Sequence, residues 1–146
     1  MSEHCFLLMP GTWEGRGHIT FNMSSERLDF STLWTVEHKE NKSIYCVQRI
    51  DIDDVEDPMI NYFQLNYPEN QKFEISLSNE ILGQVNGSGL LDDKIMAWEF
   101  RGSELEFEGF ELFELQEDGS YQTRAEFSSK DQMRTLIEGK ISKKSE

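Results

Sequence analysis

Apolar and polar residues alternate with period 2 along most of the chain, and clusters of Gly, Asn, Asp and Ser break the alternation roughly every ten residues. Successive side chains of a strand point to opposite faces, so the pattern demands many short strands, each with one face on a core and one in water. Helical periodicity is almost absent. The first run sets Trp13, Gly15, Gly17, Ile19 and Phe21 against Glu14, Arg16, His18 and Thr20. The second, after a turn at Asn22 to Ser25, keeps Leu28, Phe30, Trp34 and Val36 in phase. In the third, Ser43 to Ile52, Ile44, Cys46, Ile50 and Ile52 oppose Tyr45, Val47 and Arg49; the two faces are so alike that its orientation stays open. Runs at Met59 to Tyr67, Phe73 to Leu77, Ile81 to Gly89, Met96 to Phe100, Leu105 to Leu115, Tyr121 to Phe127 and Met133 to Ile141 complete ten strands. A change of phase at Gly109 predicts a β-bulge in the eighth, and Asp118-Gly119 is a hairpin turn signal.

Ten strands joined one after another by short turns make an up-and-down meander. Left open, such a sheet exposes two edges; closing it into a barrel removes them. The expected fold is all-β, a single antiparallel up-and-down barrel of about ten strands with little or no helix, spanning 1–146 with 1–10 as a lead-in and 142–146 as a flexible tail. A composition 37% apolar and 12% aromatic is enough to fill a core. Eight strands leave room for side chains or one small ligand, so a wider barrel predicts a cavity. With the Trp13 phase inward, Phe21, Phe30, Trp34, Phe63, Trp98, Tyr121 and Phe127 line it, and Asn61 joins them as an isolated polar group, as do Thr32, Thr123 and Thr135. An apolar cavity with a few hydrogen-bonding groups is the usual make-up of a small-molecule site. The competing expectation is that the same aromatics fill the barrel completely.

The formal charge is -14, which repels a phosphate backbone and an anionic membrane face alike, so nucleic acid is not an expected partner. Two cysteines, Cys5 and Cys46, are too few for a disulfide scaffold. The apolar run at Cys5 to Met9 is shorter than a secretory segment and lacks a basic flank, and no run of 18 apolar residues exists to span a membrane. A soluble, cytoplasmic protein is the expectation; no residue pattern specifies an oligomeric state.

At Gly11-Thr12-Trp13-Glu14-Gly15-Arg16-Gly17 a Gly-x-Trp opens the first strand of an all-β meander. This resembles the calycin superfamily of lipocalin-like barrels, and the longer Gly-Thr-Trp-x-Gly-x-Gly looks most like the nitrobindin-like barrels. The resemblance implies that Trp13 closes one end of the barrel beneath a basic residue of the last strand, for which Arg134 or Lys140 would serve. It also sets differences. The short link from Phe21 to Leu28 has no room for the helical lid of fatty-acid-binding proteins, and no C-terminal helix follows Ile141. Nitrobindins hold haem through a histidine late in the chain, whereas none occurs here after His38, so haem is not expected and no other cofactor is indicated.

Tested against specific chemistries, the remaining features read as surface. His4, His18 and His38 show no metal-ligand spacing and read as surface histidines, with His38 the best placed for a pocket mouth. The carboxylates of Asp51 to Asp57 lack the glycine and terminal Glu of a calcium loop, and Glu104, Glu106 and Glu108 fall on the solvent face. No metal site is expected. Gly-Lys-Ser/Thr and Gly-x-Ser-x-Gly are absent, so no catalytic residue is assigned. The function expected is binding of a small hydrophobic or amphipathic molecule inside the barrel. The alternatives are an isomerase or lyase on the same scaffold, for which Arg49 and Tyr45 are the pair to inspect, and an acidic protein-interaction module with a filled barrel.

Overall fold

The computed structural model describes residues 4–101, 107–128 and 133–144. Ten strands follow in order: β1 (Gly11–Phe21), β2 (Arg27–His38), β3 (Ser43–Ile52), β4 (Met59–Asn66), β5 (Lys72–Asn79), β6 (Gly83–Leu91), β7 (Ile95–Phe100), β8 (Glu108–Leu115), β9 (Tyr121–Ser128) and β10 (Arg134–Lys143). A single 3-10 turn at Glu40–Lys42 is the helical content of the described residues. Each strand pairs antiparallel with the next, and β1 pairs with β10 to close the ring. This is a closed up-and-down barrel, as the alternation requires. Among the described residues, no helix is long and apolar enough to cross a membrane.

The closing seam explains the glycines of the first strand. Gly17 sits directly opposite Gly139, and a Cβ at Gly17 would collide with the Glu138 carbonyl and the Phe30 ring. Glycine here lets two strongly coiled strands approach where the sheet turns back on itself.

Strand β3 takes one orientation: Ile44, Cys46 and Gln48 are buried, while Tyr45 and Val47 are exposed. Arg49 is therefore outside with Tyr45, bonded to Asp51 at 2.9 Å, and neither can serve chemistry in the interior. The bulge expected at Gly109 does not form. β8 pairs residue for residue with β9 from Glu108 to Leu115 and with β7 from Gly109 to Glu114. Gly109 instead keeps the inward phase, where a Cβ would collide with the Phe127 ring, and Phe110 and Leu112 take the outward one. Glu104, Leu105 and Glu106, read from sequence as part of this strand, lie outside the described residues, as do 129–132 of the following turn.

The lead-in is part of the core. Residues 4–9 fold back across the end of the barrel that holds the start of β1 and the end of β2, with the Met9 amide bonded to the Cys5 carbonyl at 3.0 Å. Phe6 is 0% exposed and packs on Trp13 (5.4 Å between centroids), Trp34 (5.1 Å), Phe113 (5.1 Å) and Tyr121 (5.7 Å). His4, expected at the surface, is 5% exposed, with Nε2 at 2.7 Å from the Asp92 carbonyl and Nδ1 at 2.7 Å from the Tyr121 hydroxyl. A carbonyl can only accept, so Nε2 carries the proton and Nδ1 accepts from Tyr121. The same hydroxyl accepts from the main chain at Cys5 and Phe6, and burial pushes its pKa up to about 12. His38 closes the same end, its Nε2 donating to the Leu7 carbonyl at 2.9 Å, and is not at a pocket mouth.

Two further expectations change. Trp13 does close this end, but without Arg134: in an antiparallel strand the first residue of β10 lies at the far end, where the Arg134 amide donates to Asn22 at 2.8 Å. Lys140 instead reaches Asp118 at 3.7 Å on the surface. Ser142 and Lys143, expected in the C-terminal tail, belong to β10, and the Lys144 amide bonds to the Thr12 carbonyl at 2.9 Å.

Because the N-terminal segment is held through one ring among four others, Phe6→Ala should cost about 3 kcal/mol. Urea unfolding monitored by tryptophan fluorescence checks this; a loss below about 1 kcal/mol would show that the segment is dispensable.

Candidate functional site

The barrel is filled in one half and hollow in the other. Above Phe6, Trp34 stacks on Phe63 (5.2 Å), Trp98 stacks on Phe113 (4.9 Å), and Trp34 meets Phe113 edge-on (6.1 Å). These rings form a floor. Above it lies a cavity of about 380 Å³ that opens past Met59 and Ile81, two cavity-lining residues that are also solvent-exposed. That volume falls in the range of small-molecule sites.

Of the residues expected to line the interior, Phe21, Phe30, Trp34, Asn61, Phe63 and Phe127 border this cavity. Trp98 belongs to the floor beneath it. Tyr121 does not line it: fully buried at the closed end, it anchors the N-terminal segment. In-phase position alone could not separate these outcomes, because one phase serves both halves of the barrel.

Across the cavity wall runs a ladder of polar side chains, one from each of four adjacent strands. Asn79 donates from Nδ2 to Asn61 Oδ1 (3.0 Å), Asn61 Nδ2 to Gln48 Oε1 (3.0 Å), Gln48 Nε2 to Thr32 Oγ1 (3.3 Å), and the Thr32 hydroxyl to the Arg49 carbonyl (3.1 Å). The Asn79 oxygen accepts the amides of Ile81 (3.0 Å) and Leu82 (2.8 Å). Both ends are fixed on main chain, so every amide has a defined sense. The ladder uses one of the two amide protons of each side chain. Thr32 and Asn61 were legible as polar residues in the inward phase. Gln48 was hidden by the ambiguity of the third strand, and Asn79 by its place next to a turn.

Glu111 was missed altogether. The expected bulge moved the apolar phase to Phe110 and left it open between Leu112 and Phe113; holding strict alternation from Phe107 through Gly109 to Phe113 places Glu111 inside. It borders the cavity between Trp98 on β7 and Ala125 on β9, and its Oε2 accepts Trp98 Nε1–H at 2.7 Å. In the strand order β8 is diametrically opposite β3, so Glu111 and the ladder occupy facing walls. Burial raises its pKa to about 7, with the Trp98 hydrogen bond opposing. Arg124 also borders the cavity, but it belongs to the outward phase and is exposed. Glu111 is thus the one ionisable side chain on the inward phase of the lining among the described residues.

No family model and no curated protein matches the chain. Among solved structures, it is similar to the S-type phycobiliprotein lyase CPES from Guillardia theta, with a TM-score of 0.74, 8% identity and coverage of 97% of this chain and 91% of that one. It is similar also to Rv2717c from M. tuberculosis, with a TM-score of 0.74, 11% identity and coverage of 96% and 95%. At such identity the likeness is one of fold: a closed, antiparallel up-and-down β-barrel.

The carboxyl of Glu111 titrates near 7 in the fold against 4.5 ordinarily, so between these values the folded state holds the extra proton and stability falls as pH rises. Above pH 7 the charged form carries the whole penalty, at most about 3 kcal/mol and less where water enters the cavity. Glu111→Gln, which keeps an acceptor for Trp98, should raise Tm at about pH 8 and lose that advantage below about pH 4.5. Thermal melts across that range decide it; an equal effect at both ends would show that the carboxyl is not the source.

Proposed function

We propose that the barrel binds a small, mostly apolar molecule in its hollow half, with a polar edge of that molecule set against the Thr32–Gln48–Asn61–Asn79 ladder. The observation that carries the reading is the pairing of an apolar cavity with an ordered polar rail inside it. Burying amides costs free energy even when they bond one another, and valine or leucine at these positions would satisfy folding. Their placement gives a bound molecule both orientation and selectivity.

The proposal is for a ligand other than haem. His4 and His38 bond to main-chain carbonyls at the closed end and His18 lies on the outward phase near Glu138, so no imidazole borders the cavity to reach an iron. The two thiols, Cys46 buried and Cys5 exposed, fit a reducing compartment such as the cytoplasm.

A second reading, a lyase or isomerase, is favoured by Glu111. A cavity carboxyl that titrates near neutrality is suited to proton transfer, and one structural neighbour is named a lyase. Glu111→Gln would then keep ligand and lose turnover.

Titration with neutral apolar fluorophores such as Nile red, or with 1-naphthylmethanol, should give saturable one-to-one binding, quench tryptophan emission through Trp34 and raise Tm. Ala125→Phe, which pushes a ring into the cavity beside Glu111, should remove that binding with the far-UV spectrum unchanged. Absence of saturable binding, or binding indifferent to Ala125→Phe, would overturn the cavity as the site.

A further inference from the structure

We propose that the cavity selects apolar molecules carrying a protonated amine or equivalent nitrogen cation, with Glu111 as the counter-ion. This rests on the reading of the cavity as a binding site and specifies what it takes.

The argument begins with what surrounds the carboxyl. On its own strand the inward neighbours are Gly109 and Phe113. β7 presents Met96, Trp98 and Phe100 on its inward phase, and β9 presents Thr123, Ala125 and Phe127, with Tyr121 at the closed end bonded to His4. The facing wall is the uncharged ladder of Thr32, Gln48, Asn61 and Asn79. Arg124 is exposed on the outward phase, as is Arg134 at the start of β10. No basic side chain among the described residues faces Glu111. A carboxylate turned into an apolar cavity without a counter-charge is half of an ion pair, and such groups are costly unless the other half arrives.

A purely structural role does not account for the charge. Trp98 Nε1–H needs an acceptor, but glutamine supplies one with no ionisable group. The hydrogen bond takes Oε2 and fixes the plane of the carboxyl, while the second oxygen keeps its acceptor capacity. A ligand ammonium meeting that oxygen gains a charge-assisted hydrogen bond in a low-dielectric space. The aromatic rings of Trp34, Phe63 and Phe127 around the same cavity favour a cation through their π-faces. The chain's charge of -14 also raises the local concentration of cations at the mouth. An anionic ligand faces the reverse of each term.

The test uses three probes of one shape: 1-naphthylmethylamine, 1-naphthylmethanol and 1-naphthoate, each titrated calorimetrically into the whole chain and into Glu111→Gln at about pH 6 and pH 8. At pH 8 the amine should bind at least about tenfold tighter than the alcohol, and the naphthoate weakest. Lowering the pH to 6 protonates Glu111 and should weaken the amine by about fivefold or more while leaving the alcohol unchanged. In Glu111→Gln the amine should fall to the level of the alcohol or below it, with the alcohol within about twofold of wild type. Equal binding of amine and alcohol to the wild type, or an amine preference that survives Glu111→Gln, overturns the counter-ion while leaving the cavity as a binding site. Failure of all three probes to bind overturns the cavity reading, and the counter-ion with it.

Discussion

Everything in this molecule depends on the pairing of the first strand with the last. Until β1 meets β10 the chain is a meander with two bare edges and no inside; once they pair, each position on every strand is assigned to the interior or to water. The pairing is local in space and remote in sequence, and it needs the small residues Gly15, Gly17 and Gly139 along its seam. The motif that opens the first strand is therefore a statement about closure as much as about any function. Trp13 packs on Phe6 and Tyr121, and Gly15 and Gly17 let the strand coil against its partner.

Closure alone does not decide how the interior is used. Aromatic residues accumulate toward one end, where the N-terminal segment adds Phe6 and Leu7 and the space is packed. Toward the other end Phe21, Phe30, Phe107 and Phe127 are interspersed with aliphatic, small and amide-bearing residues, and the walls stay apart. Close packing and a cavity are both answers of the same barrel, given at different heights along its axis. The outward phase holds nearly all the charge, in short-range pairs such as Arg27–Asp29 and Arg101–Glu99 that are exposed and add little to stability.

Period 2 made the fold readable. Ten strands, their order and their closure follow from alternation, and most of the aromatic lining follows from phase. What escaped has physical reasons. The third strand has apolar residues on both faces, so Gln48 could not be placed until its neighbours fixed it. In the eighth strand, Phe110 and Leu112 are large apolar residues on the outer face; with Phe110 read as core, the phase shifted by one and Glu111 was hidden. A one-residue slip inverts every side chain of a strand, so a single misjudged glycine concealed the most distinctive group in the cavity. The lead-in was hidden differently. A short apolar run before the first strand has no period of its own, and only the depth of the barrel shows that Phe6 and Leu7 belong within it.

The N-terminal segment makes the barrel a cup. With Phe6 seated among four rings and His4 bridging Tyr121 to the turn at Asp92, that end is closed among the described residues, and the aromatic floor above it is a second barrier. Among the described residues, the way in and out of the hollow half is the rim bordered by Met59 and Ile81. Uptake and release are the same path travelled in opposite directions, so whatever slows one slows the other. Occupancy at equilibrium is then set by the walls and the rail, and the rate of exchange by the rim alone.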